Sequence, residues 1–199
     1  LLEDKIARAR FKREQVREAN LVAEEVQGLR AKTSMGGSSR AKLLDDLYAH
    51  LATAPDEATA KPFSDTIERV WLTSGSDTVS VLMERAMKSV GHKRNDLALQ
   101  LLSAVVDLAP DYAEGWNRRA TMHYLAGNLP KSMADIERTL SLEPRHFGAL
   151  SGMAAIFMDI GKKEQALAAY RRVLEVYPQL REAQQQVGVL DDELTGSRI

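Results

Sequence analysis

Cysteine is missing from all 199 residues, which excludes disulfides and thiolate metal sites and leaves the redox compartment open. Net charge is nearly missing too: 27 Lys+Arg against 28 Asp+Glu leave −1 at pH 7, with a pI near 6.5. Such a balance gives no electrostatic basis for a sequence-independent hold on nucleic acid or an anionic membrane, so no nucleic-acid partner is expected. No apolar run approaches the roughly 20 residues needed to cross a bilayer, so no membrane insertion is expected either. The chain opens on Leu1 rather than Met, as a fragment or a processed product would, so its amino terminus says little about export.

Motifs that carry chemistry are also wanting. There is no GxxxxGK[ST] or GxGxxG, hence no phosphate cradle, no HExxH metal site and no GxSxG nucleophile elbow. His50, His92, His123 and His146 fall in four different predicted elements, where core or surface roles are the simpler account. Asp45-Asp46 and Asp191-Asp192 are adjacent pairs, which on a helix point about 100° apart and cannot share a proton. Arg118 and Arg119 diverge for the same reason, and at least one is expected to pair with a neighbouring helix. No enzyme activity, no catalytic residue, no metal and no cofactor are expected.

What the sequence does have is a repeat. With Val79, Ala113 and Phe147 as first positions, three blocks of 34 residues align: 79–112, 113–146 and 147–180. The eighth position reads Ala86, Ala120, Ala154 and the twentieth Ala98, Ser132, Ala166, small residues where two helices must approach closely. The thirty-second is Pro110, Pro144, Pro178, which takes three of the six prolines onto one phase. A period of this length marks a helical hairpin that can bury its apolar face only by stacking on copies of itself. In the middle block the first helix is expected over about Ala113 to Ala126, with Asp111 as its cap and Glu114 completing a capping box. Gly127 and Asn128 supply the turn, Pro130 sits just inside the second helix, and Met133, Ile136 and Leu140 form its buried stripe before Pro144 ends it. Trp116 is expected to be largely buried. The third block turns at Gly161, while the first uses the looser run Gly91 to Asp96.

Around the repeats, Leu180, Ala183, Val187 and Leu190 give residues 181–199 a capping helix with one apolar side and a short tail. Upstream, Leu44, Leu47, Leu51 and then Ile67, Val70, Trp71 make residues 40–78 a divergent helical hairpin, in which Pro55 and Pro62 forbid one continuous helix. Residues 36–39 (Gly36-Gly37-Ser38-Ser39) are predicted as a flexible linker. Residues 1–35 form a proline-free amphipathic helix with a drifting stripe through Val16, Ala19, Ala23 and Val26. Three readings of it stand open: a native helical extension, a partner peptide joined by an engineered linker, or a segment upstream of a true start at Met35.

The blocks at 79–180 resemble the tetratricopeptide repeat (TPR) family. The resemblance implies an all-α solenoid of three helix-turn-helix repeats, with a divergent amino-terminal hairpin, a carboxy-terminal capping helix and a long amino-terminal helix. DYAEGWNRRATMHYLAGN and EPRHFGALSGMAAIFMDIGKKEQALAAY further resemble small exported TPR proteins of Gram-negative bacteria, which implies a periplasmic location, with the cytoplasm as the alternative. It also implies a non-enzymatic interaction module whose concave groove takes a helical or extended protein segment. The groove positions carried over are Met83, Met87, Val90, Asn117, Thr121, Tyr124, Ser151, Ala155 and Met158, with Ser80, Glu114 and Gly148 beside them. Met83 and Met87 stand where chaperone-binding members carry Lys and Asn, so a carboxylate clamp is not expected. The partner is a protein or peptide, and residues 1–34 could dock in the groove themselves. Alternatives are a scaffold that dimerises through that helix, an accessory domain of an envelope hydrolase, and methionines that simply pack inside.

Overall fold

The computed structural model describes residues 37–196; the segment 1–35, with its proposed docking or dimerisation, lies outside the described residues. Nine helices and no strand occur among the described residues: α1 (Gly37–Thr53), α2 (Glu57–Leu72), α3 (Asp77–Gly91), α4 (Asn95–Leu108), α5 (Ala113–Leu125), α6 (Leu129–Leu142), α7 (Phe147–Asp159), α8 (Lys163–Val176) and α9 (Arg181–Gly196). The chain divides into two compact units, 1–70 and 71–199, with the boundary near the end of α2 rather than at the first repeat.

In the first unit α1 and α2 run antiparallel. Arg40 Nη2 near the start of α1 donates to the Val70 carbonyl near the end of α2 at 3.0 Å, and His50 stacks on Phe63 at 5.0 Å close to the turn. Leu43, Leu47, Leu51 and Ile67 are fully buried, as the sequence pattern requires. Pro55 separates the helices, and Asp56 Oδ1 caps α2 by accepting from Thr59 N at 2.8 Å. One expectation is corrected. Gly37, Ser38 and Ser39 begin α1 instead of forming a linker, because glycine and serine only weaken a helix and the apolar run behind them supplies the packing. Pro62 sits inside α2 without ending it, at the loss of one backbone bond, and the break in the hairpin falls at Pro55.

The second unit is built on the 34-residue phase. The turn within each hairpin closes with the same bond: Arg94 N to Ser89 O at 2.9 Å, Asn128 N to His123 O at 2.8 Å and Lys162 N to Phe157 O at 2.8 Å. Each needs one left-handed residue, supplied by Gly127 (φ 72°) and Gly161 (φ 72°), but by Lys93 (φ 58°) in the first repeat. A side chain is unfavourable there. Lys93→Gly is therefore expected to stabilise the protein by roughly 0.5–1 kcal/mol, the relieved strain being partly offset by the entropy of glycine. A rise in the denaturation midpoint measures it; a fall would mean the turn is not strained.

The helix α9 starts one period after α7 and places Gly188 at the small eighth position, so the cap keeps the phase of a first repeat helix. Gln184 Nε2 donates to the Pro178 carbonyl at 2.7 Å, repeating the bond from Trp116 Nε1 to the Pro110 carbonyl at 3.1 Å two periods earlier. Trp116 is only partly buried: its indole reaches over the loop while Arg119 and Arg138 flank the ring at 4.8 and 5.9 Å. It is thus an edge clamp and not the core residue expected.

Candidate functional site

The inner surface of the array is formed by α5 and α7, with α6 behind them. A hollow of about 120 Å³ opens there, lined by Asn117, Thr121 and Tyr124 from α5 and by Gly148, Gly152 and Ala155 from α7. Its floor is Ala120, Ser132 and Ile136. The hollow exists because α7 presents two glycines and an alanine where side chains would otherwise fill the space. A Cβ on Gly152 would already lie 3.4 Å from Ile136 Cδ1.

The polar rim is oriented by its own bonds. Asn117 Nδ2 donates to Glu114 Oε2 at 3.0 Å, which leaves the amide oxygen as an acceptor. Thr121 Oγ1 donates to the Asn117 carbonyl at 3.1 Å, and Ser132 Oγ to the Ala120 carbonyl at 2.8 Å. The Tyr124 hydroxyl bonds to Asp159, and that bond, with burial, raises its pKa.

Beneath the rim lies a buried polar cluster. Glu114 and His146 are 2% and 1% exposed, with Glu114 Oε2 2.9 Å from His146 Nε2. His146 Nδ1 accepts from Ala149 N at 3.1 Å, capping α7, so Nε2 carries the proton and donates to the carboxylate. Arg118 also donates to Glu114. Burial pushes the Glu114 carboxyl up, but the His146 bond and Arg118 together outweigh it and hold the group below its ordinary value. Trp71 covers the imidazole at 3.8 Å with planes 12° apart, and Phe147 follows at 4.7 Å. Glu114 therefore does not close a capping box with Asp111: Tyr112 takes the cap position of α5 without a side-chain bond, because Glu114 is committed to the next repeat. Of the paired arginines, Arg119 crosses to α6 and grips Asp135 with two bonds of 2.8 Å.

Of the nine groove residues expected, the hollow brings together Asn117, Thr121, Tyr124 and Ala155. Met83 is corrected: it is 5% exposed and belongs to the core of the first repeat, in one cluster with Ala98 and Leu102. Met87 and Val90 are half-buried against that core, and Ser151 and Met158 are half-buried outside the hollow. The contributions of Gly152, Ser132, Ile136 and Asp159 were missed. Gly152 had a signal, since its repeat equivalents are Glu84 and Arg118 and a glycine there must leave a gap. Among the described residues no cluster of His, Asp or Glu has the spacing to hold a metal ion, and no helix is long and apolar enough to cross a membrane.

No family model matches the chain. A TPR repeat-containing protein of Rhizobium etli is 47% identical over 161 residues, which span 81% of this chain and 79% of the relative. The chain is a TPR protein. A small glutamine-rich TPR-containing protein of Saccharomyces cerevisiae is 24% identical over 156 residues, covering 77% of this chain and 44% of that one. Among solved structures, the first TPR domain of Spaghetti, bound to an HSP90 peptide, superposes with a TM-score of 0.57 at 23% identity, over 60% of this chain and 95% of that chain. That likeness shows the TPR fold.

Proposed function

We propose that this TPR protein is an interaction module whose inner surface binds a protein segment, with the hollow between α5 and α7 taking one apolar side chain. The observation that carries this is the hollow itself: small residues of α7 form one wall, and an Asn, a Thr and a Tyr form the other. An extended or helical segment crossing it would lose apolar surface at the anchor and exchange backbone hydrogen bonds with Asn117 and Thr121. The HSP90 peptide held by the Spaghetti domain supports the use of this fold for such a purpose. A carboxylate clamp is not the mode here, because Met83 is turned into the core and Met87 carries no charge.

The test fills the hollow without touching the core. A displayed library of short peptides is selected on the wild-type protein, and the enriched sequences should share one apolar anchor. Ala155→Trp is expected to weaken their binding at least about tenfold, or 1.4 kcal/mol, with helicity unchanged. Thr121→Val, isosteric at the rim, should weaken it by less. Equal affinity for both variants would move the binding surface elsewhere.

A further inference from the structure

The first helices of successive hairpins share one stripe, formed by the third, seventh, tenth and fourteenth repeat positions. In α5, α7 and α9 the third and tenth positions of this stripe are buried, the seventh is half-buried, and the fourteenth is open in Ala126 and Ile160. Its third residues are Gly115, Ala149 and Ala183, all buried, and its tenth residues Met122, Ile156 and Leu190 are 2%, 2% and 0% exposed. The fit is close: a Cβ on Gly115 would lie 2.8 Å from Val105 Cγ1 of α4.

In α3 the same stripe reads Val81, Arg85 and Lys88, with His92 following at the C-cap, and all four are exposed, Val81 to 52%. At a spacing of i, i+4, i+7 and i+11 they lie on one side of the helix. Arg85, Lys88 and His92 border a hollow of about 340 Å³ with Arg94, and Leu97 and Leu101 of α4 line it. The repeat phase shows why the charge is uncompensated. Arg119 of the second repeat is neutralised by Asp135, whereas the residues at these two places in the first repeat are Arg85 and Leu101. Among the described residues none of Arg85, Lys88 and Arg94 forms an ion pair. A surface built only for solubility would intersperse both signs. Here every charged residue around the hollow is positive, and apolar side chains lie among them.

We infer that this leading face of α3 and α4 docks an acidic amphipathic helix of a partner protein. The occupant is a helix because each later hairpin receives one on the same stripe. It is acidic because Arg85, Lys88 and Arg94 have no carboxylate of their own, and amphipathic because Val81, Leu97 and Leu101 offer it apolar contact. The site is separate from the inner groove: one helix could dock here while a peptide occupies the hollow between α5 and α7. Exposed charges of this kind act mainly on association rate and selectivity, so binding should fall steeply with salt.

The test uses a fluorescent helical peptide of about 16 residues, just over four turns, with Glu in one stripe beside Leu. A second peptide of equal composition has its Glu spread around the helix. The striped peptide should bind the full chain better than the scrambled one. The double variant Arg85→Glu/Lys88→Glu should weaken it more than about tenfold, since like charges are then opposed. Lys88→Met, which installs the residue of the second repeat, should weaken it by a smaller factor with no loss of helicity. Ala155→Trp should leave it unchanged, which separates this site from the groove. Equal binding of the two peptides, or indifference to the charge reversal, would overturn the inference. So would sedimentation showing that the wild type self-associates through these residues, which would assign the face to a second copy. Adsorption to anionic vesicles in preference to the striped peptide would overturn it as well.

Discussion

Glu114→Ala is expected to lower the stability of the protein by about 2–4 kcal/mol, the cost of losing a buried hydrogen-bonded carboxylate and stranding the donor it served. The carboxylate is 2% exposed and accepts from His146, Arg118 and Asn117. Its loss leaves the imidazole N–H of His146 buried without a partner and detaches the second repeat from the cap of the third. The double variant Glu114→Leu/His146→Phe should recover part of the loss, because the imidazole N–H is removed together with its acceptor and only the Ala149 N–H at the α7 cap loses a buried partner. Chemical denaturation of the single and double variants measures the coupling, and simple additivity would mean the pair is not a unit. The pH dependence follows from the same group. Its folded pKa lies below the ordinary value, so its stabilisation is complete above the unfolded carboxylate range and is lost as pH falls through the folded value. The stability gap between wild type and Glu114→Gln should therefore be widest near neutrality and close on acidification below about pH 4. A gap that widened in acid would reverse the sign and discard the assignment.

Trp71→Ala is expected to cost a comparable amount, about 3–5 kcal/mol for a large-to-small change in a packed site. The indole is 4% exposed and stacks on His146, while Phe147 beyond it meets Tyr177 at 5.5 Å. One ring at the start of the array thus supports an aromatic row that reaches the end of the third repeat. Tyr112 adds to it by donating its hydroxyl to the Leu72 carbonyl at 3.0 Å. Trp71→Phe should retain most of the stability, since Trp71 Nε1 is buried without a hydrogen-bond partner and its removal strands nothing. Hydrogen exchange should show Trp71→Ala loosening α5 and α7 together. A loss confined to the end of α2 would mean that the stack is incidental.

Most of the fold was legible because a repeat writes the same local instructions several times. Ala86, Ala120 and Ala154 at the helix crossings, glycines 127 and 161 in the turns and three prolines on one phase act within a single hairpin, where sequence distance and spatial distance are nearly the same. The helical hairpins were therefore legible, and Asn117, Thr121, Tyr124 and Ala155, named from the sequence, line one hollow. What needed the tertiary structure was the rotation of each helix and the pairing of residues far apart. Met83 occupies the groove position of its repeat but turns into the core, and Trp116 occupies a core position but clamps an edge. Glu114 and His146 stand 32 residues apart, and no local rule joins a presumed capping carboxylate to an imidazole at the head of the next repeat. The stripe of Val81, Arg85, Lys88 and His92 is plain in the sequence, yet its exposure is decided only by packing. Period and composition determined which helices form and how they stack. Only packing decided which side chains were enclosed, because burial depends on every neighbour at once.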